Sequence, residues 1–259
     1  MSRPRRRRSL GLRERSDAAE GEEKGGGKVE ETRGAGAGKA RLRRVKAEGE
    51  DKLATLNLTP GLKVYGERLI EVDAAEYRMW DPVRSKLAAA LLKGLKNLPI
   101  HEGGKVLYLG ASTGTTVSHV SDLLGESGVV FAVEVAPRVA REFLEQVASK
   151  RSNVIPIVED ARRPERYRSV FSKVDVVYCD IAQPDQTEIA LLNCRRHLSA
   201  GGSLLLIIKA RSIDVLKDPD RVFKEEGDKI EAAGFKINQL IRLDPFDKDH
   251  ALISAVWTE

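Results

Sequence analysis

The sequence contains almost none of the residues that build metal sites or disulfide frameworks. Its 259 residues include two cysteines, Cys179 and Cys194, and four histidines. Neither cysteine has the CxxC or Cys/His spacing of a metal site, so no metal ligand set is predicted. Both cysteines lie in apolar runs, and we interpret them as small buried residues.

Long apolar segments are also absent. No run approaches the length needed to cross a bilayer, and the N-terminus has too many arginines and too few apolar residues for the core of a signal peptide. We therefore expect a soluble, cytoplasmic protein without a membrane partner. With 41% hydrophobic residues, the chain can bury the core of one medium-sized domain and of a small appended one.

Residues 1–50 contain no aromatic residue and hold 15 Lys and Arg against 9 Asp and Glu, whereas the rest of the chain is close to neutral. Such a segment cannot bury enough apolar area to offset its ordering entropy, so we expect a disordered basic tail containing glycine and arginine. Its charge could attract RNA phosphates. A merely solubilising extension explains the same composition equally well.

Residues 51–95 are predicted to form a small β subdomain and a linking helix. Turn residues separate short strand-like pieces. These pieces are Leu53–Leu58, Lys63–Tyr65 and Arg68–Val72. Asp81 followed by Pro82 predicts the start of an Ala/Leu-rich helix, capped by Asp81, that runs to about Leu95.

From residue 96 to residue 259, strand-like and helix-like segments alternate. Five short apolar runs predict a buried parallel sheet covered on both faces. The runs are Lys105–Leu109, Val129–Val133, Val154–Val158, Val174–Cys179 and Ser203–Ile208. The last two strand-like runs, Lys236–Leu243 and Ala251–Trp257, are too close in sequence for a crossover helix, so they predict an antiparallel hairpin. A seven-stranded, Rossmann-like α/β sheet ending in such a hairpin is typical of class I methyltransferases.

The first strand of this region leads into a glycine turn and a helix start. Gly110 and Gly114 would let the backbone bend sharply and approach a ligand, and Ser112, Thr115 and Thr116 could cap the helix. Close packing of strand and helix explains such a turn as well. The turn lacks the GxGxxG of nicotinamide enzymes and the GxxxxGK[ST] of P-loops, which favours a ligand without pyrophosphate, such as S-adenosylmethionine.

Acidic residues follow three further strands. Glu134 is placed to accept hydrogen bonds from ribose hydroxyls, and Asp160 is placed to accept one from an adenine amino group. Asp180 ends the fourth strand of the region. Any one of them would ordinarily be a solvated carboxylate. Three at the carboxyl ends of parallel strands predict a ligand crevice at that edge.

Several longer motifs resemble those of one family. Tyr108–Asp122 is similar to the cofactor loop of fibrillarins, Asp180–Gln186 to their fourth-strand motif, and Glu76–Leu87 to their interdomain segment. Pro60-Gly61, Val64–Glu67 and Asp249–Ala251 agree as well, so the resemblance covers about residues 53–257. Asp81 stands where Asn is common, and the tail is shorter than the Gly/Arg domain of eukaryotic members, which suggests an archaeal-type member.

The resemblance implies transfer of a methyl group from S-adenosylmethionine to the ribose 2′-hydroxyl of ribosomal RNA, and of tRNA, directed by a box C/D guide RNA. Together with the glycine turn, it implies a set of cofactor-binding residues. The set is Gly110, Ser112, Gly114, Thr115, Thr116, Glu134, Val135, Asp160, Ala161, Asp180, Ile181, Ala182 and Gln183. The catalytic set of the family falls on Lys86, Asp180, Lys209 and His250.

The chemistry requires such a set. A ribose hydroxyl is a poor nucleophile, so the enzyme must align it and remove a proton. Lys209, after the fifth strand of the predicted sheet, could act as the base, with Asp180 orienting it. Taken alone, Lys86 would be interpreted as a solvated charge and His250 as a surface turn residue. His119 is interpreted as a packing residue.

RNA recognition is poorly encoded in the sequence. There is no RRM-like or KH-like motif, and the few clustered arginines could be solvated. These are Arg162, Arg163, Arg166, Arg168, Arg195 and Arg196. The resemblance implies that specificity comes from the guide RNA, a Nop5 (Nop56/Nop58-type) scaffold and an L7Ae-type protein, with the β subdomain as docking surface. The alternatives are a stand-alone FtsJ-like methyltransferase and a largely structural subunit with a vestigial site.

Overall fold

A computed structural model describes residues 30–31, 40–47 and 49–258. Its first sheet is antiparallel, with the strand order β1-β2-β3-β5-β4. The strands are β1 (Glu30–Glu31), β2 (Leu42–Ala47), β3 (Glu50–Leu56), β4 (Leu69–Val72) and β5 (Ala75–Trp80). This sheet is the β subdomain expected from the sequence, but it has five strands where three strand-like pieces were predicted.

Strand β2 lies within the segment that was expected to be disordered. Val45 and Ala47 are buried in this strand, so the first sheet begins before residue 50. Residues 1–29, 32–39 and 48 of the expected tail lie outside the described residues. A short strand with charged residues on one face has a composition similar to that of a disordered tail, so composition alone did not predict β2.

In the subdomain, one predicted strand is wrong and one strand was missed. Lys63–Tyr65 is not a strand, because the backbone N–H groups of Val64 and Tyr65 both donate to the carboxylate of Glu67 and fold this segment into a turn. Strand β5 was not predicted, because its buried face includes Arg78. A charged residue in a strand interrupts the apolar pattern from which strands are predicted.

The predicted helix start at Asp81 is also wrong. Asp81 accepts from the N–H of Val83 in a turn, and helix α1 spans Lys86–Leu92 with Ser85 as its N-cap. The helix ends before Leu95, and Gly94 has a φ of 103°. An Asp-Pro pair can cap a turn as well as a helix. The later start places Lys86 in the first helical turn.

The second sheet has seven strands in the order β11-β12-β10-β9-β6-β7-β8. They are β6 (Lys105–Leu109), β7 (Val129–Glu134), β8 (Val154–Val158), β9 (Val174–Cys179), β10 (Leu198–Lys209), β11 (Phe235–Arg242) and β12 (His250–Trp257). Strand β12 pairs antiparallel with both β10 and β11, and all other pairs are parallel. The predicted α/β sheet with a terminal antiparallel hairpin is confirmed.

Helices cover both faces of this sheet. They are α2 (Thr115–Leu124), α3 (Pro137–Gln146), α4 (Gln186–His197), α5 (Ala210–Ile213) and α6 (Pro219–Ala232). One apolar cluster packs α1, α2 and α3 against the sheet, and a second packs α4 and α6 against its other face. Cys179 and Cys194 are buried in the second cluster, as expected. No helix among the described residues is long and apolar enough to cross a bilayer.

A buried polar network joins the two sheets. Arg78 of β5 donates to Glu67 at 2.6 Å and to Asp122 of α2 at 2.8 Å. Arg151 donates to the other oxygen of Asp122 at 2.6 Å. Asp122, Arg78 and Arg151 have side chains at most 1% exposed, so a fixed network, rather than a mobile linker, holds the subdomain on the second sheet.

His119 lies in this interface. Its surroundings confirm the interpretation of His119 as a packing residue. Its ring is fully buried and stacks on Trp80 with a centroid separation of 4.8 Å. Nδ1 lies 2.7 Å from Thr55 Oγ1, and Nε2 lies 2.8 Å from Tyr65 Oη. Both ring nitrogens therefore have polar partners from the first sheet.

Candidate active site

A crevice of about 250 Å³ lies at the carboxyl ends of strands β6 to β10. Most residues predicted to hold a cofactor line it. The predicted residues found there are Gly110, Ser112, Glu134, Val135, Asp160, Ala161, Asp180, Ile181, Ala182, Gln183 and Lys209. Residues not predicted from sequence also line it, namely Val133, Glu159, Arg162 and Ile189. The strand-end carboxylates thus share one rim, as their positions in parallel strands required.

The close approach of β6 to β9 depends on Gly110. Its φ is 86°, and a Cβ at this position would lie 2.8 Å from the carbonyl oxygen of Asp180. Any side chain would therefore push Asp180 outward in addition to straining the backbone. Ser112, two residues later, has a φ of 50°, an uncommon conformation for a residue other than glycine.

Three predicted cofactor residues do not line this crevice. Gly114 has a φ of 94° and packs against Phe143 and Val147. Thr115 opens α2, and the hydroxyl of Thr116 donates to Ser85 Oγ at 2.9 Å. Because Ser85 caps α1, Thr116 supports the helix start that carries Lys86. For these three residues the cofactor contacts remain predictions.

The carboxylate of Glu134 is fixed at both oxygens. Oε2 accepts from the N–H of Ser112, and Oε1 accepts from the N–H of Ala136, each at 2.9 Å. A carboxylate has about four lone-pair positions, so further acceptor capacity is left for hydroxyl groups of a ligand. Glu134 also fixes the turn that follows Gly110.

Asp160 and Arg162 form another part of the rim. Asp160 accepts from the N–H of Arg162 at 2.9 Å. The guanidinium of Arg162 donates to Asp185 at 2.8 Å and to Gln183 at 3.0 Å. The hydrogen bond from Arg162 holds the pKa of Asp185 below its usual 3.8. Arg162 therefore connects the loops that follow β8 and β9.

The four predicted catalytic residues lie in one cluster. Lys209 Nζ is 2.8 Å from Oδ1 of Asp180, and Lys86 Nζ is 3.4 Å from Oδ2 of the same residue. His250 opens β12 and is the register partner of Lys209 in β10. Cross-strand partners are side-by-side neighbours on one face of a sheet, so His250 completes the cluster from the terminal hairpin.

Asp180 is largely buried but not saturated with hydrogen bonds. Its side chain is 13% exposed, and among the described residues no donor makes a well-aligned hydrogen bond to Oδ1. Lys209 instead donates to the main-chain carbonyl of Asp180 at 3.1 Å. A buried acceptor with free capacity is expected where a polar ligand binds. Oδ1 therefore lies 2.8 Å from the ammonium of Lys209 and keeps acceptor capacity that no described residue uses.

The thiol and phenol groups next to Asp180 among the described residues are not ionised. Burial raises the pKa of Cys179, the preceding residue, to about 12, so its thiol stays protonated and inert. Tyr178 stacks on Tyr108 at 4.5 Å, and burial, followed by the nearby Asp180 carboxylate, raises the pKa of Tyr108 well above its usual 10. The phenol of Tyr108 is therefore neutral, and the ionisable chemistry is confined to the Lys–Asp cluster.

Sequence reasoning missed Asp247, which the structure places in this cluster. Its Oδ2 lies 3.7 Å from Lys86 Nζ, and its Oδ1 lies 2.9 Å from His250 Nδ1. The available signal was its position three residues before His250 in the short β11–β12 connection. A carboxylate in a turn is ordinarily solvated, so the position alone did not single it out.

The clustered arginines fall into two groups. Arg162 pairs with Asp185, and Arg166 pairs with Glu159. The others are exposed and form no ion pair with any described residue. They are Arg163, Arg168, Arg195 and Arg196. Within the described residues, no group of three or more His, Cys, Asp and Glu is arranged to hold a metal ion.

The fold and the crevice define the class of protein. A seven-stranded sheet in this order, with its terminal hairpin and a carboxylate rim beyond the first strands, is that of a class I methyltransferase. The family model for fibrillarin matches residues 41–259. The chain belongs to the fibrillarin family.

Individual relatives agree with this membership. The chain is 54% identical over 206 residues to a fibrillarin-like rRNA/tRNA 2′-O-methyltransferase of Saccharolobus solfataricus, which covers 80% of this chain and 88% of the relative. It is similar to Aeropyrum pernix fibrillarin, solved with natively bound S-adenosyl-L-methionine, at 49% identity and a TM-score of 0.77, covering 83% and 94% of the two chains. A chain of a fibrillarin/Nop5p complex matches at 38% identity and a TM-score of 0.75, covering 83% and 97%.

Proposed function

We propose that this protein transfers the methyl group of S-adenosylmethionine to ribose 2′-hydroxyls of ribosomal RNA and tRNA, at nucleotides selected by a box C/D guide RNA. The relative from Saccharolobus solfataricus is named a fibrillarin-like rRNA/tRNA 2′-O-methyltransferase, which describes the same methyl transfer. The observation that carries the proposal is the single crevice in which Glu134 and Asp160 lie on the rim beside the Lys209–Asp180 pair.

The residues of the crevice fit S-adenosylmethionine. Glu134 offers acceptors for ribose hydroxyls, Asp160 offers one for the adenine amino group, and Val135 and Ile181 provide apolar wall. Asp180 and Lys209 line the same crevice. When bound, the cofactor supplies a methyl group activated by a sulfonium, so the protein has to align the ribose hydroxyl and remove one proton.

The Lys–Asp cluster performs these two tasks. Asp180 Oδ1 accepts a hydrogen bond from the ribose hydroxyl and aligns the oxygen. Lys209, once its ammonium has given up a proton, takes the proton of the hydroxyl. Lys86 contacts the other oxygen of Asp180 at 3.4 Å and keeps the carboxylate oriented. The buried side chain of Gln186 accepts from the N–H of Lys209 and fixes the backbone from which the amine extends.

Selection of the nucleotide comes from partners. A similar chain was solved in a fibrillarin/Nop5p complex, so we propose that a Nop5 (Nop56/Nop58-type) scaffold binds this chain, with the first sheet as the docking surface. An L7Ae-type protein would hold the guide RNA in the same particle. The relatives named above come from archaea, and we place the particle in the archaeal cytoplasm.

Reconstitution tests the proposal directly. The protein is mixed with the scaffold, the L7Ae-type protein, a guide RNA and radiolabelled S-adenosylmethionine, and the methylated nucleotide of the target is mapped. Shifting the guide sequence by one nucleotide is expected to move the methyl group by one nucleotide. Equal activity on bare RNA, at sites independent of the guide, would instead support a stand-alone FtsJ-like enzyme, and no methyl transfer would support a structural subunit.

A further inference from the structure

Asp247 connects two residues of the active site that do not contact each other. It lies in the connection between β11 and β12, with Oδ2 3.7 Å from Lys86 Nζ and Oδ1 2.9 Å from His250 Nδ1. Lys86 in turn contacts Asp180, which contacts Lys209. The five side chains therefore form one connected polar chain, with Asp247 joining helix α1 to the terminal hairpin.

The surroundings of His250 determine which of its ring nitrogens carries hydrogen. Nδ1 faces two oxygens, Oδ1 of Asp247 at 2.9 Å and the main-chain carbonyl of Lys248 at 2.7 Å. A carbonyl and an ionised carboxylate only accept hydrogen bonds, so Nδ1 must donate. In the neutral ring, Nε2 then retains its lone pair. His250 is thus prepared to accept a hydrogen bond or a proton through Nε2.

Asp247 is ionised in this environment. Although partial burial acts to raise its pKa, the hydrogen bond from His250 and the charges of His250 and Lys86 hold that pKa below its usual 3.8. The other charged groups around the pair are Asp180, Lys209 and the ion pair of Arg211 with Asp249 at 3.1 Å. Lys86 therefore lies between two carboxylates.

Among the described residues, Lys86 has two anionic partners, Asp180 and Asp247; without Asp247 it would share the Asp180 carboxylate with Lys209. We propose that Asp247 is a positioning residue for methyl transfer. It orients the His250 ring so that Nε2 is the hydrogen-bond acceptor, and it keeps the ammonium of Lys86 apart from that of Lys209. The inference rests on the proposed function, because it assigns Asp247 a role in the same reaction. Asp247 acts through Lys86 and His250 and contacts no reacting atom.

Asp247→Ala is the first test, in the complete guide complex. We expect kcat to fall roughly tenfold or more, with the affinity for S-adenosylmethionine unchanged, because Asp247 is not part of the crevice lining. Asp244→Ala is the matched control, since Asp244 lies in the same connection and its ion pair is with exposed Arg242, away from the cluster. The kcat of this variant is expected to stay within about twofold of wild type. Equal losses in both variants would overturn the inference.

A double-mutant cycle separates positioning from a merely structural role. If Asp247 acts through Lys86 and His250, then Asp247→Ala is expected to change kcat by less than about twofold in a Lys86→Met/His250→Ala background. A loss as large in that background as in wild type would mean that Asp247 acts on the fold alone. Asp247→Glu, which retains the charge, is expected to recover part of the activity that Asp247→Ala loses.

One readout does not depend on methyl transfer. The ¹⁵N chemical shifts of the His250 ring, recorded on the full chain without RNA at alkaline pH, are expected to show the Nδ1–H form. The opposite Nε2–H form would overturn the inference even if the enzyme were active. If the wild type transfers no methyl group, the proposed function fails, and the ring measurement still decides whether Asp247 and Lys248 orient His250 as inferred.

Discussion

The ammonium of Lys209 lies 2.8 Å from Oδ1 of Asp180, although the two residues are 29 positions apart in the sequence. Strands β9 and β10 are parallel neighbours, with Cys179 in register with Leu206. Their carboxyl ends consequently share one edge of the sheet, and each strand delivers one member of the pair. The ion pair is thus a direct result of strand order.

The first prediction concerns the amine of this pair. Lys209→Met keeps the aliphatic stem but removes the nitrogen, so kcat for guided methylation is expected to fall by about 10²–10⁴, the usual contribution of a positioned base. Single-turnover methylation with saturating cofactor measures this loss. Lys224→Met, at an exposed position of α6, serves as the control with unchanged activity. An effect below about threefold for Lys209→Met would remove Lys209 from the role of base.

The second prediction concerns the network that joins the two sheets. Asp122 accepts from Arg78 at 2.8 Å and from Arg151 at 2.6 Å, and all three side chains are buried. Asp122→Ala leaves two guanidiniums without their shared carboxylate, which should lower the free energy of unfolding by about 3–5 kcal/mol. Urea unfolding near neutral pH measures it.

The control for that experiment is Asp228→Ala, an exposed aspartate on α6. It is expected to change the free energy of unfolding by less than about 0.5 kcal/mol. If Asp122→Ala changed the free energy of unfolding as little as Asp228→Ala does, the network would contribute little to the attachment of the first sheet.

The third prediction is a pH dependence of stability caused by His119. Burial, with the positive charges of Arg78 and Arg151 nearby, holds the pKa of His119 well below its usual 6.5. Below about pH 6.5 the unfolded chain therefore binds a proton that the folded protein excludes, and stability falls as the pH falls, by about 1.4 kcal/mol per pH unit from this residue.

The test compares the wild type with His119→Asn from about pH 7.5 to pH 5.5. The variant is expected to be less stable at every pH but to have a flatter pH dependence. Glu67 does not interfere, because its pKa lies below its usual 4.5 and its stabilisation is lost only at lower pH. Parallel curves for the two proteins would show that His119 is not the titrating group.

The parallel strands of the second sheet and the cofactor rim could both be predicted from sequence, because both follow from the apolar runs. Apolar runs such as Val174–Cys179 have the period and length of buried strands, and the carboxylates that follow them must share an edge. Strand β5 was missed, because Arg78 is buried by its partners from distant segments, and no local pattern encodes those partners. A charge is buried only where the whole fold supplies counter-charges.

The active-site residues also divide into those that were predicted from sequence and those that were missed. Lys86, Asp180, Lys209 and His250 were assigned from a family resemblance and are found together. Asp247 was missed, because its importance arises only when the hairpin folds against α1. Thr116 was expected at the cofactor, but its hydroxyl faces Ser85, since the direction of a helical side chain depends on how the helix packs.

The most direct test of the whole account is calorimetric binding of S-adenosylmethionine to the wild type and to Glu134→Ala. Both carboxylate oxygens of Glu134 hold the loops of the crevice at 2.9 Å, and the account assigns the remaining lone pairs to the cofactor ribose. Glu145→Ala, an exposed position on α3, is the matched control. The account predicts clear binding by the wild type and by the control, and affinity weakened roughly 10- to 100-fold in Glu134→Ala, as for the loss of a charge-assisted hydrogen bond. Unchanged affinity in Glu134→Ala, or no binding by the wild type, would contradict it.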